Sequence, residues 1–441
     1  MSGFPPLPAD GTVLLHRAAV PACLLADVAL ARGADAEGLV LLDIGIAGGR
    51  IESLAPAAAT APEGAADLDA GQVWPCFVEA HAHLDKGHIT PRAINADGTG
   101  LSAAAAVRAD REANWSAADV RARFAFGLRC AYAQGTAAIR THLDSQGPQA
   151  GISWPVFAEL RAEWAGRIDL QAVGMVPVDT YATPEGEALA RRIASAGGLL
   201  GGATRLPGAT PAQLDAALDA LFDLATQHGL EIDLHVDESG DPGAATLGPV
   251  ARAALRHRFP YRVTCGHCCS LAVQEPAFAS EVMDLVAQAG ITIVSLPPVN
   301  LHLQGRSPGG TPRWRGVTLL HELKARGVNL LIGGDNCRDP FYRWGDHDML
   351  ETFTDAVRIG HLDLPVGDWP AAVTARPADW LRLPEHGRIA VGGVADLVLF
   401  RGRRMDELLS RRRGERVVLR AGRPIDTTLP DHRELDRLFA A

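Results

Sequence analysis

Residues 211–236 read PAQLDAALDALFDLATQHGLEIDLHV and contain both elements from which the fold is built. Thr210 is a candidate N-cap and Pro211 suits a first helical turn, so the segment predicts a helix that ends near His228. The leucines that recur with helical spacing are Leu214, Leu218, Leu221 and Leu224. The apolar run from Leu230 to Val236 then predicts a buried strand, and a helix followed by such a strand is typical of a parallel α/β sheet.

The same alternation of short apolar runs and longer helical stretches continues through the middle of the chain. The strand candidates are Val73 to Glu79, Ala137 to His142, Ile168 to Met175, Leu199 to Ala203, Leu230 to Val236, Arg262 to His267, Ile291 to Pro297 and Val328 to Gly334. Eight strand and helix units over about 300 residues predict an α/β fold of the (β/α)8 TIM-barrel type.

Both ends of the chain are rich in short strands and turns. Gly38 to Ile44 alternates loosely, Gly48-Gly49 makes a turn, and Arg50 to Leu54 resumes the extended pattern. Val394 to Phe400 and Arg416 to Arg420 are apolar runs near the other end. We expect the two ends to pair with each other as one small β domain beside the barrel. The expected divisions are residues 1–72, 73–375 and 376–441.

The composition is that of a globular, core-forming protein, with 441 residues of which 47% are hydrophobic and 21% charged. The 42 basic and 52 acidic residues leave a formal charge of -10, which predicts no general attraction to nucleic acid or anionic membrane. Seven cysteines without paired CxxC motifs are interpreted as packing residues rather than a disulfide framework. The N-terminus, MSGFPPLPAD, lacks the features of a signal peptide, so we expect a soluble cytoplasmic protein.

An arginine-rich stretch runs from Arg401 to Arg420 and includes RRR at 411–413. Nucleic-acid binding is not favoured, because the chain is acidic overall and the stretch has no interleaved aromatic residues. A solvated surface or a contact between the subunits of a homo-oligomer is the interpretation that fits it.

Polar side chains fall at the predicted C-terminal ends of four strands, where the loops of a barrel converge over one mouth. His81 and His83 end the first strand, His235 the fifth, His267 the sixth and Asp335 the eighth. Since side chains alternate along a strand, the first two histidines point the same way and can hold one ion together. A third imidazole and a carboxylate from across the barrel complete a site for zinc or ferrous iron. Each histidine alone is more often a core residue, but their joint position favours a metal.

Several motifs in the same order carry a resemblance to a known family. They are HAHLDK at 81–86, LHVDE at 234–238, VTCGH at 263–267, PPVNLHLQGR at 297–306, GGDNCRDPFY at 333–342, WGDHDML at 344–350 and ADLVLF at 395–400. From about Val40 to Gly422 the chain resembles the amidohydrolase superfamily, specifically its cytosine deaminase-like branch, and it is also similar to N-isopropylammelide amidohydrolases. The resemblance implies a (β/α)8 barrel with a small β-sandwich made from both chain ends.

The resemblance also implies a role for each matched residue. The residues that would bind one divalent ion, Zn²⁺ or Fe²⁺, are His81, His83, His235 and Asp335. Glu238 would shuttle protons, and His267 would orient or polarise the hydroxide on the ion. Binuclear relatives carry a carboxylated lysine at the end of the fourth strand. Only Lys86 and Lys324 are lysines here, and neither is placed to bridge two ions, so a mononuclear site is favoured.

The activity that the resemblance implies is that of an aminohydrolase. An exocyclic amine of a nitrogen heterocycle, such as a cytosine-like pyrimidine, a pterin or a triazine, would be replaced by a carbonyl with release of ammonia. The ion would lower the pKa of its water to about 7, Asp335 and His267 would take and hold the proton, and Glu238 would protonate the ring nitrogen and the departing amine. Hydrolysis of an N-alkylamino group or a cyclic amide C–N bond is the alternative activity. A metal-binding barrel without turnover is the alternative from another class, which Glu238 and His267 beside the ligands disfavour.

Four residues are candidates for contacting the substrate. Asn336 stands where cytosine deaminases carry a second aspartate, and Pro177 takes the place of the glutamine that reads the amide edge of the pyrimidine. Phe341 would supply an aromatic wall, whereas Gln304, with His302, either faces the mouth or stabilises its loop. An unmatched buried polar edge costs much of the binding free energy, so this pocket should recognise another hydrogen-bond pattern, with cytosine only one candidate.

Overall fold

The computed structural model describes residues 4–8, 11–411 and 414–439. The strands in this part are β1 (Val13–Pro21), β2 (Leu39–Ala47), β3 (Arg50–Pro56), β4 (Ala66–Asp67), β5 (Val73–Pro75), β6 (Phe77–Ala82), β7 (Thr136–Asp144), β8 (Asp169–Met175), β9 (Leu200–Ala203), β10 (Ile232–Val236), β11 (Val263–His267), β12 (Thr292–Ser295), β13 (Leu330–Ile332), β14 (Leu397–Phe400), β15 (Arg416–Arg420) and β16 (Arg423–Pro424). The α-helices are α1 (Val28–Ala31), α2 (Gly100–Asn114), α3 (Ala117–Ala133), α4 (Ala150–Glu163), α5 (Pro184–Ala196), α6 (Pro211–His228), α7 (Leu247–Arg256), α8 (Pro276–Gln288), α9 (Pro297–Leu303), α10 (Leu320–Ala325), α11 (Met349–Gly360), α12 (Ala375–Trp380) and α13 (Met405–Ser410).

Eight parallel strands form the centre of the molecule. β6, β7 and β8 make one sheet in that order, and β9 to β13 make a second sheet in chain order, with every pairing parallel. Single parallel bridges join the two sheets at both edges, Val173 with Leu199 and Ala82 with Asp335. α-Helices lie in each connection between successive strands, and all nine residues of β7 are buried, as expected for a sheet covered on both faces. The predicted α/β class with parallel strands is confirmed.

The helix predicted between Pro211 and His228 is present with those limits as α6. The Thr210 side chain accepts a hydrogen bond from the Gln213 amide, and the Gln213 side chain accepts one from the Thr210 amide, which is a capping box. Gly229, in the left-handed conformation with φ of 67°, ends the helix and leads the chain into β10. Local sequence therefore determines both limits of this element.

The predicted first strand, Val73 to Glu79, is wrong as a single element, because the chain changes sheets at Cys76. β5 pairs antiparallel with β14, whereas β6 begins at Phe77 and pairs parallel with β7. Every residue of the run is buried, so hydrophobicity does not mark the point at which one sheet ends and the next begins. The central strands begin at Phe77 rather than at Val73.

The two chain ends form two further sheets that share a core. Their strand orders are β3-β2-β1-β4 and β16-β15-β14-β5. Leu15 and Ile44 from the first sheet belong to the same buried cluster as Leu397 and Leu419 from the second. The terminal strands expected from the sequence are present as β2, β3, β14 and β15, and the two ends pack against each other through their apolar faces.

β1 is a strand that the sequence pattern did not reveal. Arg17 has a left-handed backbone with φ of 53°, and the pairing of β1 with β2 shifts register between Leu15 and Ala18. These are the features of a β-bulge, which adds a residue and interrupts the two-residue alternation. The apolar positions of β1 therefore do not follow the period expected of a strand.

All seven cysteines are free thiols and six of them are buried, as expected for packing residues. None of the helices in the described part of the chain is long and apolar enough to cross a membrane, and the cytoplasmic location stays a prediction. Positions 412 and 413 of the arginine-rich stretch lie outside the described residues. Arg416 and Arg420 form ion pairs within the chain, with Asp348 at 2.7 Å and Asp396 at 2.9 Å, and the contact in a homo-oligomer stays a prediction.

Candidate active site

Four side chains of metal-ligand type meet at the carboxyl ends of the central strands. His81 lies in β6 and His83 directly follows it, His235 lies in β10, and Asp335 follows β13. One ligand atom of each lies within 4.8 Å of the others. His83 Nε2 is 3.1 Å from both His235 Nε2 and Asp335 Oδ1, and His81 Nε2 is 3.6 Å from Asp335 Oδ1. The structure thus brings together all four residues predicted to bind the ion, which we call the ligand cluster.

The ionisation state and the free atoms of the ligand cluster fit a divalent cation. Burial lowers the pKa of each of its three imidazoles well below the ordinary value, so the rings are uncharged at neutral pH, the form that binds metals. His81 Nε2 and both carboxylate oxygens of Asp335 are buried without a hydrogen-bond partner. Such atoms cost free energy unless something satisfies them, and imidazole with carboxylate suits zinc or iron.

Glu238 and His267 lie beside Asp335, next to the ligand cluster. His267 Nδ1 is 3.5 Å from Glu238 Oε1 and 4.0 Å from Asp335 Oδ2. Asn300 Nδ2 donates to His267 Nδ1 at 3.0 Å and, at a longer 3.4 Å, to Glu238 Oε1. Nε2 of the His267 ring is buried without a hydrogen-bond partner. Asn300 is a positioning residue that sequence reasoning missed, although it lies within the quoted PPVNLHLQGR motif.

Lys86 is a second residue of the site that sequence reasoning set aside. Its side chain is buried, with Nζ 3.9 Å from Asp144 Oδ1 and 5.0 Å from the centre of the Phe341 ring. Burial and the charge of Asp335 raise the pKa of Glu238 well above its ordinary value, and the positive charge of Lys86 opposes that rise. Lys86 was considered only as a bridging ligand, whereas the structure places its charge next to the acid that would donate a proton.

The backbone at two of these residues is held in an unfavourable conformation. His267 and Asp335 have φ of 69° and 66°, in the left-handed region that costs a residue with a side chain about 1–3 kcal/mol. The amide of Asp335 donates to the carbonyl of His81 at 2.8 Å, which joins the ends of β13 and β6. Gly266 leaves room for the imidazole of His81, since a Cβ at position 266 would lie 3.0 Å from His81 Cε1. The strand ends thus direct these side chains toward one point.

Two further buried groups support the ligand cluster, and sequence reasoning missed both. The carboxylate of Glu79 accepts from the amide of His81 at 2.9 Å and from the amide of Gly334 at 2.8 Å, so it links the strands that carry three of the ligands. The ring of His142 lies 3.9 Å from that of His81, centre to centre. The signal for His142 was its position at the end of the second predicted strand.

The predicted substrate contacts after β13 lie in one loop next to the ligand cluster. Phe341 faces Lys86, as its ring contact shows. Asn336 is buried, but its Nδ2 donates to Asp339 Oδ2 at 2.6 Å, so its amide already holds the loop in place. Contact of either residue with a substrate stays a prediction.

The other two predicted substrate contacts, Pro177 and Gln304, lie on two different connections between the central strands. Pro177 follows β8 and forms a parallel bridge with Ala203 at the end of β9. Gln304 is buried directly after α9. His302 contacts the guanidinium of Arg306, whose Nη2 is 3.0 Å from His302 Nδ1. Substrate contacts of Pro177 and Gln304 stay predictions.

The parallel strands with helices in their connections form an α/β scaffold, and the His/Asp cluster at the strand ends could hold a metal ion. The chain belongs to the amidohydrolase family, whose model matches residues 178–425. This membership confirms the resemblance predicted from the motifs, and the chain is a hydrolase that acts on carbon–nitrogen bonds.

Three relatives show how similar the chain is to individual proteins. It is 52% identical over 430 residues to the pterin deaminase of Rhizobium rhizogenes, and the match covers 97% of each chain. It is 25% identical over 368 residues to the N-isopropylammelide isopropyl amidohydrolase of a Pseudomonas species, covering 81% of this chain and 86% of that one. The crystal structure of 5-methylcytosine deaminase from Klebsiella pneumoniae liganded with 5-fluorocytosine has a TM-score of 0.80 and 26% identity, covering 94% of this chain and 97% of that one.

Proposed function

We propose that this enzyme is a metal-dependent deaminase that replaces an exocyclic amine of a nitrogen heterocycle by a carbonyl and releases ammonia. The observation that carries the proposal is the ligand cluster with Glu238 and His267 beside Asp335. Similarity to a pterin deaminase over nearly the whole chain favours a pterin as the substrate, with cytosine-like pyrimidines and triazines as the other candidates.

The ligand cluster would hold one divalent ion, zinc or ferrous iron, because neutral imidazoles and a carboxylate match the preference of both. Such an ion supplies a water with a pKa of about 7 and therefore a nucleophile at neutral pH. β9 and the residues directly after it contain no lysine that could bridge two ions, which favours a single ion.

Three side chains would move the protons of the reaction. Asp335 would accept a proton from the attacking water, while His267 would hold the oxygen in place. Glu238 would donate a proton to the ring nitrogen next to the reacting carbon and then to the departing amine, a task suited to a carboxyl with a raised pKa. One water is consumed, the exocyclic C–N bond breaks, a carbonyl forms and ammonia leaves.

The loop after β13 would form one wall of the substrate pocket. Phe341 offers an aromatic face to a flat heterocycle, and Lys86 places a buried positive charge against that ring. Asn336, Gln304 and Pro177 would define the edges of the pocket. These roles rest on position, since the residues lie on three different strand connections that end near the ligand cluster.

We infer that the eight central strands close into one (β/α)8 barrel and that the two chain ends form a β-sandwich beside it. The bridges at both edges of the parallel sheets support the closure. The buried cluster shared by the two terminal sheets supports the sandwich. We propose that the barrel begins at Phe77, because the chain changes sheets after β5, and that the C-terminal part of the sandwich begins after α12.

Ammonia release from a panel of pterins, pyrimidines and triazines, followed by mass spectrometry of the products, tests this proposal. We expect at least one pterin to be deaminated, activity to be lost on chelation, and Zn²⁺ or Fe²⁺ to restore it. Glu238→Gln should keep its metal and lose about 10²- to 10⁴-fold in kcat, the usual contribution of general acid–base catalysis. The exposed Glu281→Gln on α8 is the matched control and should keep wild-type kcat. Full activity of Glu238→Gln, or no ammonia from any compound, would contradict the proposal.

Hydrolysis of an N-alkylamino group or a cyclic amide is the second candidate. It is favoured by the similarity to an N-isopropylammelide isopropyl amidohydrolase and by Asn336 at the position after Asp335. The same panel separates the two candidates, because release of an alkylamine or a ring-opened product without ammonia would establish the second.

A further inference from the structure

A second group of metal-ligand side chains lies outside the ligand cluster. His88, Cys337 and His347 each offer one ligand atom, and these atoms lie within 4.8 Å of one another. They come from two loops: His88 lies in the loop after β6, and Cys337 and His347 lie in the loop between β13 and α11. We propose that these residues, which we call the second cluster, bind a divalent metal ion of the zinc class.

Buried atoms without partners support the second cluster as a binding site. His88 is 2% exposed and Cys337 is 3% exposed. Neither ring nitrogen of His88 has a hydrogen-bond partner, and Nε2 of His347 has none either. Unpaired buried nitrogens are costly, and a bound ion would give them a partner.

The donor set determines the class of ion. Two imidazoles and one thiolate are ligands of zinc and similar late transition metals, whereas magnesium and calcium take oxygen ligands. Next to the second cluster lies a cavity of about 30 Å³ whose lining includes Cys337, His347 and the acidic residues Asp346 and Glu351. A water would occupy the fourth position of a tetrahedral site.

Packing alone does not account for this arrangement. Phe126 contacts the ring of His88 at 4.9 Å between ring centres, which explains why that ring is buried but not why one of its nitrogens lies within 4.8 Å of a thiol and a second imidazole. His88 and His347 both have left-handed backbones, with φ of 64° and 56°. Gly127 on α3 leaves room for His347, because a Cβ there would lie 2.9 Å from His347 Nε2. Strained conformations and close approach at one point are typical of a site with a function.

An ion in the second cluster would hold together the two loops that follow the strands of the ligand cluster. The amide of His88 already donates to the carbonyl of Cys337 at 3.1 Å, and the amide of Thr90 donates to the carbonyl of Arg338 at 3.0 Å. A metal bond between the same loops would stabilise the native state by mass action, because it binds the folded form. We therefore assign the second cluster a structural role, separate from catalysis.

Cobalt substitution tests this proposal, since a thiolate bound to Co²⁺ gives a charge-transfer band in the near-ultraviolet. The ligand cluster contains no sulfur, so such a band reports the second cluster only. The full-length apo enzyme titrated with Co²⁺ should bind two ions per chain and develop the band, and Cys337→Ser should bind one ion and lose it. Cys76→Ser is the matched control, because that buried thiol belongs to neither cluster and should leave the band intact.

The wild-type titration is decisive even where a variant fails to fold. A wild-type enzyme that binds cobalt without the band, or a band that survives in Cys337→Ser, would overturn the proposal. His88→Gln provides a second variant, in which the second ion should bind at least tenfold more weakly while circular dichroism stays that of the wild type. Deamination is not measured, so failure of this proposal is distinct from failure of the proposed function.

Discussion

Replacing Arg92 by methionine is expected to destabilise the folded enzyme by about 3 kcal/mol. Its guanidinium donates two hydrogen bonds to Asp110, at 2.7 and 3.1 Å, and two to Asp119, at 2.6 and 3.0 Å. A fifth goes to the carbonyl of Leu438 at 3.2 Å. The loop that follows β6 contains both His88 and Arg92. The network therefore connects this loop to α2, to α3 and to the end of the chain.

The magnitude follows from the hydrogen bonds and ion pairs that Asp110 and Asp119 keep in Arg92→Met. Removing one partner of a buried ion pair costs about 3–5 kcal/mol when the other charge is left uncompensated. Asp110 would still accept from Asn114 Nδ2 at 2.8 Å and from Trp115 Nε1 at 2.7 Å. Asp119 would still pair with Arg123 at 2.7 Å, and methionine keeps the apolar stem of the side chain. These remaining contacts put the expected loss at the lower end of the range.

Urea unfolding followed by tryptophan fluorescence measures the loss. Arg121→Met is the matched control, because Arg121 on α3 pairs with Glu163 at the surface, with side chains 46% and 45% exposed. Exposed ion pairs contribute about 0–1 kcal/mol, so this variant should unfold close to the wild type. If Arg92→Met also falls within about 1 kcal/mol of the wild type, the network does not behave as a buried ion pair.

The same network predicts a dependence of stability on pH. Burial alone would raise the pKa of Asp119, but the hydrogen bonds and charges of Arg92 and Arg123 outweigh it and hold the pKa below its ordinary value. A carboxyl whose pKa is depressed in the folded state stabilises the protein above its unfolded pKa, near 3.9, and loses that contribution as the pH falls through the folded value. Arg92→Met should therefore show a smaller loss of stability on acidification than the wild type, and an equal loss would contradict the assignment.

Two further predictions concern an active-site hydrogen bond and a helix cap. Asn300→Ala removes the donor to His267 Nδ1 and should lower kcat about 5- to 150-fold, equivalent to the 1–3 kcal/mol of a buried hydrogen bond. Asn329→Ala is the control, because Asn329 lies at the opposite end of the strands, and it should keep wild-type kcat. Equal losses of kcat in the two variants would show that Asn300 has no special role. Thr210→Ala removes the N-cap of α6 and should lower the free energy of unfolding in urea by about 1 kcal/mol. Gln213→Ala removes only the reciprocal hydrogen bond and should lower it less. A smaller loss in Thr210→Ala than in Gln213→Ala would show that tertiary contacts alone hold the helix.

The elements with strong local signals were predictable. The cap at Thr210, the leucine spacing and Gly229 determine α6 to the residue, because capping and helical periodicity depend on neighbours within a few positions. The seven later central strands were found within a few residues of their observed limits, since each apolar run is bounded by polar or turn residues. Where those boundaries are absent, as in the buried run through Cys76, sequence reasoning placed two strands of different sheets in one element.

The members of the ligand cluster were predictable for a similar reason. Each lies at or just after the carboxyl end of an apolar strand, and the carboxyl ends of parallel strands meet at one edge of the sheet. The groups that support the ligand cluster were not predictable, because their roles depend on contacts across the fold. Asn300 acts through a hydrogen bond to His267, 33 positions away, and Lys86 acts through its distance to Phe341 and Asp144.

Sequence alone determined the parallel α/β class, because strand and helix patterns alternate along the chain. It also determined the family, through motifs that resemble it, and the residues that would hold an ion, which lie in those motifs at the ends of predicted strands. Tertiary structure alone decided where the chain changes sheets, which side chain contacts His267 Nδ1 and that His88 and His347 meet Cys337. These features join residues far apart in the chain. Their free energy comes from burial and contact, which no local pattern of amino acids records.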